Sequence, residues 1–492
     1  MTRRLLFFIF SLFFFSCAKE VIEPQLIQIP KFTLKVTTSD GGKVDNVGGE
    51  FIKGTILKIS ATANQDYKFK EWTGDKPSTD NPLNLSINDN YSIQANFISN
   101  CKFEKVITKN WISNSYNLRK LYFPQNMYEA LQNVDPKHTD NLIDYGLKSI
   151  SVDYNSDGYL DFISYRVDYA IENFTSPIKF YLSDCNGILT YDKTNSNKFD
   201  GLVHGSKILT GDYNGDGYVD LFFVGQGWDK PPFPGESPIM LLGSKDATFS
   251  IKKFNEFKSA FHSTASGDLD KDGDLDLILT SGKDFTYFLL NDGKGNFNNN
   301  DNLISKNNRG SSRYTTEIFD INNDGFEDIL VAGGEKIDYT IANKFEDSPP
   351  IIYYGPNYNS NIKILPKLNF SFGSSIQNGF LQQNISTTLD VGFYDIDNDS
   401  VKEIFILRAG NNYQGWHIQI LKQSNNEFLD VTSKFIDDNY SDTLYPFSRM
   451  YFDDFDNDGK IEIKSEWEES RSFKTKLYYN WELEGGKFKR IK

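Results

Sequence analysis

Hydrophobic and polar positions along the chain alternate in short runs rather than at helical spacing. Near the N-terminus "FTLKVTT" and "ILKISATA" alternate apolar with polar residues, the period of a pleated strand with one buried face. From residue 147 onward the runs come in groups. A short apolar run ("KSISV", "KILTG", "STTLDVGFY") leads into a nine-residue acidic string and then a second run ("YVDLFFVG", "DLDLILTSG", "FEDILVAGG"). A third run follows ("IKFYLS", "FTYFLLN", "WHIQILK", "KLYYNWEL"), often with a glycine-rich turn closed by Phe, as in "NDGKGNF". This grouping predicts an all-β chain of repeated four-stranded units, each with an acidic loop between its first two strands.

The acidic strings are "DYNSDGYLD" from 153, "DYNGDGYVD" from 212, "DLDKDGDLD" from 268, "DINNDGFED" from 320, "DIDNDSVKE" from 395 and "DFDNDGKIE" from 454. Asp or Asn stands at positions one, three and five, Gly usually at six, and Asp or Glu at nine. Oxygens at one, three and five converge only if the backbone coils tightly, and glycine at six allows the turn to finish. Several carboxylates brought together repel one another unless a cation neutralises them. The oxygen-only donor set suits a hard ion such as calcium. An EF-hand is excluded, because the twelfth-position Glu and the flanking amphipathic helices are missing.

Over residues 147–492 this pattern resembles the FG-GAP/VCBS repeats of integrin-like calcium-loop β-propellers. The resemblance implies a propeller of six or seven four-stranded blades and up to six structural Ca2+. The ligands it implies are Asp153, Asn155, Asp157 and Asp161; Asp212, Asn214, Asp216 and Asp220; Asp268, Asp270, Asp272 and Asp276; Asp320, Asn322, Asp324 and Asp328; Asp395, Asp397, Asp399 and Glu403; and Asp454, Asp456, Asp458 and Glu462. The fifth string departs from the pattern, with Ser400 for glycine and Glu403 for aspartate, and the sixth ends in Glu462. Seven blades are common in that family. Residues 99–146 lack an acidic loop and are either a degenerate seventh blade or a connector.

Residues 32–98 are similar to the divergent internalin-type B repeat, on the order strand, "GG", strand, "YKFKEWTGD" and "SIQANF". Phe69 and Trp72 are then core anchors of a small all-β spacer. Ahead of it, "MTRRLLFFIFSLFFFSC" has two arginines and an apolar run of signal-peptide length. Its end resembles a lipobox, although Phe14 and Phe15 are bulkier than usual there. Residues 1–16 are thus expected to be a lipoprotein signal, Cys17 the lipidated residue, and 17–31 a tether. The remaining cysteines, Cys101 and Cys185, either pair as a disulfide in an oxidising envelope or remain separate buried thiols.

A formal charge of −15 excludes a phosphate-binding face for nucleic acid. No zinc-protease, nucleophile-elbow, phosphate-loop or dinucleotide motif is present, so an enzyme is not expected. By strand order, the connections between second and third strands emerge opposite the acidic loops. They carry Trp228, Phe233, Tyr339, Tyr413 and Trp416, which either form a recognition surface or pack between blades. His204 and His262 lie a few residues ahead of two of the loops, in what read as equivalent positions. The expected protein is a lipid-anchored envelope protein of a Gram-negative outer membrane, periplasmic or surface-exposed, binding glycan or protein. A polysaccharide lyase or hydrolase, or a structural subunit of an outer-membrane complex, is the alternative.

Overall fold

The structure is a computed structural model that describes residues 29–100, 145–168, 171–282, 286–300, 302–305, 313–336, 348–368, 385–410, 415–425, 427–441, 449–453, 458–465, 468–469, 476–477 and 480–491. These residues are nearly all β. Among them the one helix is the single turn Thr432–Phe435, and no helix is long and apolar enough to cross a membrane. The chain divides into two compact units, Met1–Cys101 and Lys102–Lys492.

In the first unit, Gly48–Ile52, Lys31–Thr38, Tyr91–Ser99 and Tyr67–Gly74 lie side by side in that order. The middle pair is parallel and the outer pairings are antiparallel. Leu34, Val36, Ile93, Ala95 and Phe97 are buried from alternating positions, as the sequence pattern requires. Trp72 is fully buried, its indole N–H donating to the Asp80 carbonyl at 3.0 Å. Phe69 packs 5.7 Å from it. Trp72 is a core residue and Phe69, partly buried, packs against that core, in keeping with their place in the repeat.

Among its described residues the second unit contains six successive groups of four antiparallel strands, each group in chain order. Sheet one is Tyr145–Val152, Asp161–Asp168, Lys179–Ser183 and Leu189–Tyr191; sheet two is Gly205–Gly211, Asp220–Gly225, Ile239–Leu242 and Ser250–Lys253. Sheet three is Phe261–Gly267, Asp276–Ser281, Tyr287–Asn291 and Phe297–Asn299; sheet four is Arg313–Phe319, Asp328–Lys336, Ile351–Tyr353 and Ile362–Ile364. Sheet five is Ile385–Tyr394, Glu403–Gly410, Trp416–Ser424 and Glu427–Asp430; sheet six is Met450–Asp453, Glu462–Ser465, Asn480–Glu484 and Lys487–Ile491. Sheets four and five also join where the end of the second strand of sheet four pairs with the start of the first strand of sheet five, Gly334 with Thr387.

Each sheet packs face to face on the next. Val152, Ile163 and Phe180 meet Leu221 and Phe223 between sheets one and two. Phe222 and Met240 meet Leu277 and Leu279 between two and three. Ile278 and Phe288 meet Ile329 and Val331, and Leu330 and Ile352 meet Ile404 and Ile406. Phe405 and Ile418 meet Ile463 and Trp481 between five and six. A second strand such as "DLFFVG" is therefore buried on both faces, which explains its unbroken apolar run. Fully burying one such side chain contributes roughly 1.5–3 kcal/mol.

The first strands also reach past their immediate neighbours. Lys207 Nζ of sheet two donates to Glu317 Oε1 of sheet four at 2.9 Å, and both side chains are buried. Arg449, just ahead of sheet six, donates to the Ser206 carbonyl of sheet two at 2.9 Å. The first strands of sheets two to five share a bulge at Ser206, His262, Tyr314 and Leu389.

Candidate metal loops and the opposite rim

The acidic strings form the turns between first and second strands, with a common skeleton. Position six is left-handed in all six: Gly158, Gly217, Gly273, Gly325, Ser400 and Gly459 have φ of 96, 87, 98, 83, 70 and 87°. Position four is left-handed too, at Ser156, Gly215, Lys271, Asn323 and Asn398, which residue identity alone does not disclose. The first-position carboxylate accepts the position-six N–H, Gly158 to Asp153 and Gly217 to Asp212 each at 2.8 Å. Asn155, Asn214 and Asn322 donate to Asp157, Asp216 and Asp324 at 2.9, 3.0 and 3.0 Å.

The ninth-position acid is buried in every loop. Asp161, Asp220, Asp276 and Asp328 accept the second-position N–H on one oxygen, at 3.2, 2.9, 2.9 and 2.9 Å. Their other oxygen accepts an N–H at the end of the third strand, from Ser183, Gly243, Asn291 or Gly355, at 2.8–2.9 Å. These acids tie three strands together as well as facing the loop. Burial, which the backbone N–H groups oppose, pushes Asp161 and Asp276 up to about 8, and Asp220 and Asp328 up to about 7.

Among the described residues, two loops bring three acidic ligand atoms within 4.8 Å of one another: Asp268, Asp270 and Asp276 in the third, and Asp395, Asp397 and Glu403 in the fifth. The third loop alone adds an acid at position seven, Asp274, pushed up to about 6 by burial and by Asp272 and Asp270. Asp268 Oδ1 and Asp274 Oδ1 are buried atoms without a hydrogen-bond partner. Buried oxygens left unsatisfied are costly, and a calcium ion would satisfy them. The third loop's residues fit such an ion.

The fifth cluster surrounds a lysine. Lys422 Nζ lies 2.7 Å from Asp397 Oδ1, 2.8 Å from Asp399 Oδ2 and 2.8 Å from Glu403 Oε1. Burial works against its charge, yet these carboxylates hold the ammonium above the ordinary lysine range. In return, the Lys422 hydrogen bond holds Asp399 below the ordinary carboxylate range. In the sixth loop Asp454 and Asp456 lie outside the described residues, Glu462 is buried, and Asp458 faces Lys460 Nζ at 3.2 Å. Sequence reasoning overlooked both lysines.

On the opposite rim, Trp228 is half-buried with Lys230 Nζ 4.9 Å from its ring centroid, and Phe233 is 42% exposed. Trp416 takes the packing alternative. It begins the third strand of sheet five, pairs with Ala409, and is fully buried with Trp481 5.7 Å away. It is a core residue, packed among the apolar side chains between sheets five and six. Tyr339 and Tyr413 lie outside the described residues.

The two histidines are not equivalents. His262 is the bulge residue of sheet three, and its counterparts are Ser206 and Tyr314. Its ring stands edge-on to Tyr314 at 4.6 Å, and burial pushes it down to about 4. His204 lies two residues before the corresponding bulge. Cys185 is buried and disulfide-bonded, and the other two cysteines, Cys17 and Cys101, lie outside the described residues.

Comparison with known families supports the repeat content. The model of the divergent InlB B-repeat domain matches residues 32–101, and that of the FG-GAP-like repeat matches residues 268–331, from the third loop through the second strand of sheet four. The chain carries both repeat types. No curated protein matches it. Among solved structures it is similar to the rhamnogalacturonan lyase PL11 of Bacillus licheniformis, at 11% identity over 93% of this chain and 90% of that one, with a TM-score of 0.34. It is also similar to the rhamnogalacturonan lyase YesW, at 11% identity over 94% and 90%, with a TM-score of 0.33.

Proposed function

We propose that the chain is a lipid-anchored envelope protein whose six sheets are blades of a calcium-stabilised β-propeller, presenting a binding surface to glycan or protein. The observation that carries the metal reading is the third loop, where Asp268, Asp270 and Asp276 bring ligand atoms within 4.8 Å of one another and Asp268 Oδ1 is buried and unsatisfied. Asp268, Asp270 and Asp276 would hold the ion, which would supply charge neutralisation and fix the loop. Links that skip sheets, Lys207 to Glu317 and Arg449 to Ser206, support a ring over an open stack. In a ring the first strands share an axis and meet across it.

Binding is assigned to the rim opposite the loops, on the segment 225–238. Trp228 and Phe233 offer aromatic surface there beside the cation of Lys230. Capture on an array of wall polysaccharides and envelope proteins tests this. Trp228→Ala and Phe233→Ala are expected to weaken capture about tenfold with melting unchanged. Undiminished capture would remove this rim from the reading, and depolymerisation of an arrayed polysaccharide would make the protein an enzyme.

A further inference from the structure

We infer that the fifth loop is closed by the protein's own cation, the Lys422 ammonium, and takes no calcium ion. The inference rests on the reading of its siblings as calcium loops, because it says which member of the set does without the ion.

The strand register shows how the lysine comes to be there. Phe162 pairs with Tyr181, Leu221 with Leu241, Leu277 with Leu289, Ile329 with Tyr353 and Ile404 with Leu421. The next residue along each third strand is Leu182, Leu242, Leu290, Tyr354 and, in the fifth sheet, Lys422. In the first four sheets that residue packs into an apolar core. In the fifth the side chain is long enough to turn into the acidic loop.

Its position leaves no room for a second cation. A calcium ion would sit 2.3–2.6 Å from its oxygens, and Lys422 Nζ stands 2.7–2.8 Å from three of the four acids in the loop. The fourth, Asp395, accepts the loop's own N–H groups, from Asp399 at 3.1 Å and Ser400 at 2.9 Å, as its counterparts do in the sibling loops, so Lys422 and not Asp395 sets this loop apart. Glu403 fits the same arrangement. In the sibling loops the Asp oxygen at this position accepts a third-strand N–H, whereas Glu403 Oε1 accepts from Lys422. Lys434 Nζ, 3.9 Å from Asp397 Oδ2, adds positive charge from a separate element. The fifth loop is thus expected to keep its shape when calcium is withdrawn.

Bound calcium per chain, counted by elemental mass spectrometry after equilibrium dialysis, tests this on the full chain and two variants. Asp270→Ala in the third loop, which removes the ligand oxygen that an asparagine would keep, is expected to lose one ion and Asp397→Ala in the fifth to lose none. Loss of one ion from both variants overturns the inference and leaves the calcium reading standing. A wild-type chain that binds no calcium overturns the calcium reading instead. The lysine is then judged by Lys422→Leu, melted in chelator. A lower melting temperature than wild type supports Lys422 as the loop's cation; an unchanged one overturns it.

Discussion

In the third loop Asp268, Asp270, Asp272, Asp274 and Asp276 share one turn, and among the described residues none of the five has an ion-pair partner. In the fifth, Asp395, Asp397, Asp399 and Glu403 occupy the same skeleton with Lys422 among them. The backbone solves the same problem in both, with left-handed residues at positions four and six. On the proposed calcium reading, what differs is the source of positive charge, which is external in one and covalently attached in the other. A nine-residue motif therefore specifies the loop's shape, and on that reading a residue on another strand decides whether a metal is needed. The difference also bears on stability, since an attached cation cannot be diluted or chelated.

The largest effect should follow calcium removal. A site held at a hundredfold excess of ion over its dissociation constant stabilises the native state by about 2.7 kcal/mol. Chelation with EGTA is expected to lower the melting temperature of the six-sheet unit and to leave the transition of residues 29–100 in place, read by calorimetry. The calcium-free protein should also respond to pH. Asp276, pushed up to about 8, and Asp274, to about 6, hold protons that the unfolded chain releases near pH 4. The native state then binds more protons than the unfolded one, so stability is fully present below pH 4 and is lost as pH rises through 6 to 8. Calcium binds the ionised carboxylates and should flatten that decline. A melting temperature at pH 7.5 that ignores EGTA would exclude the third loop as a calcium site.

A smaller effect isolates the repulsion itself. Asp274→Asn removes the acid at position seven, where the fifth loop has Val401. Without calcium it should stabilise the protein by roughly 1 kcal/mol, after discounting for solvent screening. With calcium saturating, the gain should shrink, because the ion already neutralises the cluster. Denaturant titrations in EGTA and in calcium measure both. An equal gain in the two conditions would mean that repulsion inside the loop is not what Asp274 contributes.

Most of the loop was legible because its instructions are contiguous: the acids, the glycine and the flanking apolar runs fall within about fifteen residues. The grouping of strands by fours was legible for the same reason. Long-range register was not. Lys422 lies nineteen residues beyond Glu403, and only the pairing of Ile404 with Leu421 puts it opposite the loop. Aligning third strands with one another, Leu182, Leu242, Leu290 and Tyr354 against Lys422, is the signal that would have found it. Which of its two alternatives Trp416 takes, packing between sheets five and six, was likewise set by long-range contacts. Lys207 and Glu317 are separated by 110 positions, beyond any local pattern.

The smallest expected effect separates loop geometry from loop charge. Ser400 holds φ of 70° where the five sibling loops have glycine. Space is not the constraint, since a Cβ at Gly217, Gly273, Gly325 or Gly459 would meet nothing within 4 Å. The cost lies in the backbone: a left-handed L-residue costs about 1–2 kcal/mol, and glycine gives back about 0.4–1 kcal/mol through its freer unfolded state. Ser400→Gly should therefore stabilise by about 0.5 kcal/mol in denaturant titration. The Ser400 contacts to Asp395 and Asn323 run through its backbone N–H and carbonyl, so they survive the change. Restoring the glycine should nevertheless add no bound calcium, because Lys422 still fills the loop. A gained ion in Ser400→Gly would mean that the missing glycine, and not the lysine, is what sets the fifth loop apart from the third.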